Sequence, residues 1–265
     1  MSEKAIGRNG GTKMYVNEYG DSSRPKIILL HPMEITGEEL YGLFLPHLRG
    51  EYCVIAPDQG GHGRSGRYVS LEDEADTLRN YLLGKGYKDI KLLYGASMGG
   101  SVAYELMKDP AFNFEKIWFD GVTFKESADL MYRMMTKMFI KKLRQVKEDS
   151  DAMPESLMKK FGPEFAPIML KNFAKLTEED IVPICYACTH REMVPLPKEL
   201  QMRTHLDWGS KELDLKPSRK GVKKYLPYAE KVIRKGYNHC EYMASHTKEY
   251  IEEVEKFIVR PLLGK

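Results

Sequence analysis

Short apolar runs alternate with amphipathic stretches through the first half of the chain. That is the pattern of a mostly parallel sheet covered by helices. Lys13 to Glu18 reads as an early strand, and Asp21-Ser22-Ser23-Arg24-Pro25 as the turn that ends it. Lys26 to Leu30 is a buried strand running into His31-Pro32. Glu38 to Leu48 predicts a helix, Tyr52 to Pro57 a strand, and Leu71 to Leu83 a helix with Ser70 as its N-cap. Ile90 to Tyr94 is the next strand, leading straight into a glycine-flanked serine, and Lys116 to Asp120 is another.

From about Val122 to Leu200 the strand signal weakens and helical periodicity takes over, punctuated by prolines at 154, 163, 167, 183, 195 and 197. Leu130, Met131, Met134, Met135, Met138 and Phe139 recur at the spacing of one helix face. Strands return at about Met202 to Leu206 and Glu230 to Ile233, before a final amphipathic helix from about Thr247 to Val259. The fold class that follows is α/β, a mostly parallel central sheet flanked by helices, with residues 1–121 and 201–265 as its core and 122–200 as a helical insertion. Neither an internal repeat nor a low-complexity segment interrupts it.

Composition narrows the picture. With 265 residues, one sizeable core is possible and several independent domains are not expected. The formal charge of +3 is a small difference between 41 basic and 38 acidic side chains, and the two signs are interspersed, which argues against nucleic acid as the main partner. Basic runs such as Lys141-Lys142-Leu143-Arg144 read as solvated helix faces. No stretch reaches the roughly 18 apolar residues of a membrane span, so no membrane partner is indicated, and Met1 to Gly11 lacks the apolar core of a secretory signal. Cysteines at 53, 185, 188 and 240 suggest no disulfide framework, and a reducing, cytoplasmic setting fits. Cys185-Tyr186-Ala187-Cys188, with His190 close behind, lacks the second ligand pair of a structural zinc site, so packing explains it.

The candidate chemistry lies in Gly95-Ala96-Ser97-Met98-Gly99. A nucleophilic serine must be exposed, must meet a base, and must lie near donors for a developing oxyanion. A G-x-S-x-G turn between strand and helix meets those needs, because the tight turn forces the serine outward and the small neighbours relieve the crowding. Lys91 to Tyr94 supplies the strand and Ser101 to Met107 the helix, whose N-terminal amides favour negative charge. The pentapeptide alone is common; its setting is what singles out Ser97.

Two upstream segments add to it. Leu29-Leu30-His31-Pro32-Met33 ends an apolar strand in a histidine, and Asp58-Gln59-Gly60-Gly61-His62-Gly63-Arg64-Ser65 lies between the next strand and its helix. In order and spacing these, with the serine turn, resemble the α/β-hydrolase family, strongly from Lys13 to Lys108 and more weakly beyond. The resemblance implies an oxyanion hole made by the backbone amides of Met33 and Met98. Pro32 stands where glycine is usual, and proline has no N–H to donate, but the implied donor is Met33. Glu34 would face or flank the pocket. His31 and His62 are implied to be structural, holding loops near the strand ends.

The same resemblance puts the base in a late histidine, because the chain order is serine, acid, histidine. His239, in Lys235-Gly236-Tyr237-Asn238-His239-Cys240-Glu241, is best placed, with His246 as the fallback. For the acid, Trp208-Gly209-Ser210-Lys211-Glu212 matches a Gly-x-x-Glu pattern and points to Glu212; Asp207 and Asp214 remain candidates because the preceding segment is polar for a buried strand. The implied reaction is acyl transfer from a small-molecule substrate, without metal or organic cofactor. The insertion would form a cap, with Met131, Met134, Met135 and Met138 as possible pocket residues that suit an apolar ester. Cleavage of an amide, thioester, lactone or carbon-carbon bond stays open, as does a ligand-sensing protein with little turnover; the oligomeric state is not legible.

Overall fold

The computed structural model describes residues 2–6, 13–148 and 155–261. Residues 1, 7–12 and 262–265 of the expected core, and 149–154 of the expected insertion, lie outside the described residues. In chain order the elements are β1 (Ser2–Ile6), β2 (Met14–Tyr19), β3 (Lys26–Leu30), α1 (Gly37–Phe44), β4 (Cys53–Asp58), α2 (Leu71–Gly84), β5 (Asp89–Ala96), α3 (Met98–Met107), β6 (Asn113–Phe114) and β7 (Ile117–Asp120). Four helices follow, α4 (Asp129–Glu148), α5 (Glu155–Lys175), α6 (Glu178–Thr189) and α7 (Lys198–Met202). Then come β8 (Thr204–Gly209), α8 (Leu215–Tyr225), β9 (Glu230–Arg234), α9 (Glu241–Ser245) and α10 (Thr247–Val259).

The strands form one open sheet in the order β1-β2-β4-β3-β5-β7-β8-β9, with the short β6 also beside β5. β1 and β2 pair antiparallel with each other and β2 with β4; every pairing from β4 to β9 is parallel. A parallel sheet is buried on both faces, which is why β3 and β5 read as continuous apolar runs: Ile27 to Leu30 and Leu92 to Tyr94 are fully buried. The carboxyl ends of β3, β5, β7, β8 and β9 share one edge, the usual place for a site in an open α/β sheet.

Local chemistry sets the helix limits. Ser70 caps α2 by accepting from the Asp73 amide, and Thr36 and Thr177 close capping boxes at α1 and α6. α1 ends at Phe44, four residues before the predicted Leu48: Leu45 keeps helical dihedrals as the C-cap, but Pro46 has no N–H with which to continue the hydrogen-bond ladder. α5 breaks at Gly162, whose φ of 74° lies in the left-handed region, and Pro163 then opens its second half.

β8 begins at Thr204, two residues later than predicted, because 198–202 is helical. Its polar residues are all buried, and each is engaged by a neighbouring side chain or carbonyl. The Thr204 hydroxyl donates to the Leu200 carbonyl, His205 stacks on Trp118, and Asp207 accepts from Arg234.

Candidate active site

Ser97 occupies the turn between β5 and α3 with φ 49° and ψ −113°, a backbone conformation that costs an ordinary residue about 1–3 kcal/mol. The strain is held by packing on both sides. A Cβ on Gly99 would lie 2.3 Å from the Leu30 carbonyl oxygen, and one on Gly95 would lie 2.7 Å from the Ala103 Cβ. Only glycine lets the end of β3 and the first turn of α3 come that close. The Ser97 amide donates to the Asp120 carbonyl at the end of β7 (2.8 Å), so the turn is also tied to the neighbouring strand.

Opposite Ser97 stand two laced loops. The first, after β8, carries Glu212; the second, after β9, carries His239. The Lys211 amide donates to the Tyr237 carbonyl (2.9 Å), and the Ser210 amide donates to the Arg234 carbonyl (2.9 Å). Glu241 fixes the far end of the second loop by accepting from the Asn238 amide at 2.7 Å. His239 Nε2 lies 2.8 Å from Ser97 Oγ, and His239 Nδ1 lies 2.8 Å from Glu212 Oε2. The consistent tautomer has Nδ1–H donating to Glu212 and Nε2 accepting from the serine hydroxyl.

The two members of this pair sit in different surroundings. The Glu212 side chain is 1% exposed and that of His239 47%. Glu212 Oε1 also accepts from the Gly209 amide (2.6 Å), leaving its other oxygen for the imidazole. Burial disfavours a charged His239, but the Glu212 carboxylate at Nδ1 outweighs it and holds the imidazole pKa well above that of a free histidine. Cys240, with φ 51°, is buried at the start of α9, and burial pushes its thiol up to about 12.

The other carboxylates raised from the sequence are engaged elsewhere. Asp207 takes a bidentate clamp from Arg234, with Arg234 Nη2 at 2.6 Å and Nε at 2.9 Å from Oδ2, and Arg234 also binds Glu253. Asp214 accepts from the Thr123 hydroxyl at 2.5 Å. His246 stacks on Tyr242, away from the serine. Sequence reasoning missed Asp120, whose carboxylate accepts from the Tyr250 hydroxyl (3.0 Å). Burial first, then Asp207 and Glu212, raises its pKa well above that of a free carboxyl group. Its one sequence signal is a carboxylate at the end of the apolar run Ile117-Trp118-Phe119.

Met98 is the first residue of α3, and Met33 follows β3 by three residues. The close approach at Gly99 brings the ends of these two segments together. His31 and His62 hold the loops around them. His31 Nε2 accepts from the Gln59 amide (2.9 Å) while Nδ1 donates to the Pro32 carbonyl (2.8 Å). His62 accepts from the Glu34 amide (3.3 Å) and donates to the Gly60 carbonyl (3.0 Å). Desolvation lowers their pKa values to about 4 and about 3, so both stay neutral.

Glu34 is buried on a left-handed backbone (φ 81°) and accepts from Lys142 of α4 at 2.5 Å. Desolvation, the largest influence, raises its pKa despite that cation. The sequence places Lys142 in a basic run on a solvated helix face; the structure corrects this, because its ammonium turns in to Glu34, 108 residues away.

The four methionines divide. Met131 and Met135 are partly buried, and Met135 packs against the core. Met134 and Met138 are 56% and 55% exposed, which corrects the expectation that all four share one inward face. Cys185 is buried in α6, where desolvation drives its thiol to about 12. All four cysteines are free, and among the described residues no group of three or more His, Cys, Asp or Glu is arranged to hold a metal.

The helices between β7 and β8 reach down to the loops that carry the site. Asn172 of α5 donates to Glu39 (2.6 Å), the Tyr68 amide donates to Asp180 of α6 (3.2 Å), and α5 packs on α9 just after His239. Among the described residues, no helix is long and apolar enough to cross a membrane.

No family model matches the chain, and neither does any curated protein sequence. Solved structures do match, over nearly the whole length. A bromoperoxidase from Bacillus anthracis is similar at a TM-score of 0.74, with 18% identity over 98% of this chain and 100% of that one. An esterase from Exiguobacterium antarcticum is similar at 0.72, with 14% identity over 98% of this chain and 100% of that one. An α/β-hydrolase enzyme from a Medee basin deep-sea metagenome is similar at 0.74, with 14% identity over 96% and 97%. At such identities the likeness concerns the fold and not the chemistry. The chain has the α/β-hydrolase fold.

Proposed function

We propose that this protein is a serine hydrolase that cleaves a small to medium apolar carboxylic ester through an acyl-enzyme. The observation that carries the reading is the His239 imidazole, 2.8 Å from Ser97 Oγ on one side and 2.8 Å from a buried Glu212 oxygen on the other. His239 Nε2 takes the hydroxyl proton as Ser97 Oγ attacks the substrate carbonyl. The negative charge of Glu212 steadies the imidazolium that forms. The amides of Met33 and Met98 receive the oxyanion, each contributing about 10²–10³ in rate. The imidazolium then gives its proton to the departing alcohol. Water, deprotonated by the same imidazole, attacks the acyl-enzyme carbonyl, and Ser97 leaves with the proton restored.

Helices α4, α5 and α6 act in this reading as a cap, and the partly buried Met135 and Phe139, packed on the buried Phe173, give its underside an apolar, adaptable lining. The esterase named among the structural neighbours is in keeping with the choice of an ester. The test is a turnover screen over p-nitrophenyl esters of increasing acyl length, matched amides and matched thioesters. Sustained ester turnover that disappears in Ser97→Ala supports the reading. A single slow acylation without turnover would instead mark a ligand sensor.

A further inference from the structure

Helix α4 has a face that the catalytic reading does not use. Leu130, Met134 and Met138, four residues apart, are 74%, 56% and 55% exposed. At 100° per residue they span an arc of about 80° on the outer side of the helix. Arg133, Lys137 and Lys141 are exposed as well, and the first two lie within about 60° of Leu130 on its other side, with Lys141 between Leu130 and Met134. A groove of about 670 Å³ runs along the cationic side, lined by these three, Arg144, Tyr132 and Ile140, with one carboxylate, the exposed Glu148, at its end. Arg144 is paired with Glu178 of α6, so three cations face outward. Side by side, the face therefore presents an apolar strip and a basic strip.

We infer that this face of α4 docks the protein on an anionic phospholipid surface, with the cations against phosphate headgroups and Leu130, Met134 and Met138 at the acyl boundary. An amphipathic helix with a basic strip beside exposed apolar side chains has the chemistry of an interfacial helix. A second copy of the chain fits worse, because a twofold contact through this face would set its cations against the same cations. An acidic peptide would satisfy the charges and leave the apolar strip in water. This goes beyond the sequence expectation of no membrane partner, which rested on spanning segments alone. On its inner edge, away from this face, the same helix brings Lys142 to Glu34, one residue from Met33.

The experiment is co-sedimentation of the full chain with vesicles of phosphatidylcholine alone and of phosphatidylcholine with one-third phosphatidylglycerol. Binding is expected to the second and not the first. Lys137→Gln and Lys141→Gln should each lower the partition coefficient about fivefold, with soluble-ester turnover unchanged as the control for folding. Leu130→Ser should weaken binding even in high salt, where the cations are screened. Equal binding to both vesicles, or none to either, would overturn the proposal. So would a protein that dimerises through this face in light scattering, or that binds polyglutamate as well as vesicles and is indifferent to Leu130→Ser.

Discussion

Ser97 and His239, the proposed nucleophile and base, are held in place by different means. Ser97 sits in a turn whose geometry is stored in the backbone, with strained dihedrals, glycines pressed against β3 and α3, and an amide tied to Asp120. His239 is half exposed on a loop, and a single buried carboxylate aims its ring. Changes around the first should damage fold and chemistry together. Changes around the second should alter chemistry and its pH dependence while the fold survives.

The largest expected effect is on the serine. Ser97→Ala should lower kcat for ester hydrolysis by about 10⁵-fold or more with an unchanged circular dichroism spectrum. Next is the acid. Glu212→Gln should cost about 10⁴-fold in kcat, because the amide no longer selects the productive tautomer. Asp207→Asn separates the two roles: it should cost less than about tenfold in kcat but about 3 kcal/mol of stability in urea unfolding, since it breaks a buried clamp on Arg234. A larger kcat loss for Asp207→Asn than for Glu212→Gln would reverse the assignment of the acid.

Gly99→Ala tests the backbone side. The added methyl meets the Leu30 and His31 carbonyl oxygens at 2.3 and 2.7 Å, so both the melting temperature and kcat should fall, by about 1–3 kcal/mol in stability. An active, fully stable variant would contradict the rigid turn. The smallest effect is the pH profile. In the proposed mechanism the neutral imidazole is the active form, and its pKa is held above the free value of about 6.5, so kcat/KM should rise with pH through a limb above that value. Removing the Glu212 charge favours the neutral form, so the residual activity of Glu212→Gln should show the limb at lower pH.

How far these features could be read from the chain follows the same division. The turn at Ser97 is a local device, and the strand, glycines and helix that make it lie within about fifteen residues of sequence. Glu212 and His239 were legible only through chain order and loop context, and the acid stayed open because β8 is polar. That polarity is accounted for by long-range neighbours, Arg234 clamping Asp207 and Trp118 stacking on His205. Asp120 shows in the sequence only as a carboxylate ending an apolar run and Lys142 only as part of a basic run, for their contacts are with Tyr250 and Glu34, more than a hundred residues away. Periodicity marked α4 as amphipathic, yet it could not say that Met134 and Met138 face outward, because the helix has a basic flank as well as an apolar one.

The identity of the nucleophile is tested most directly by a fluorophosphonate probe followed by mass spectrometry of the labelled peptide. One adduct on Ser97 is predicted, formed rapidly in the native protein, slowly in Glu212→Gln and not at all in Ser97→Ala. An adduct on any other residue, or labelling that persists in Ser97→Ala, would contradict the account.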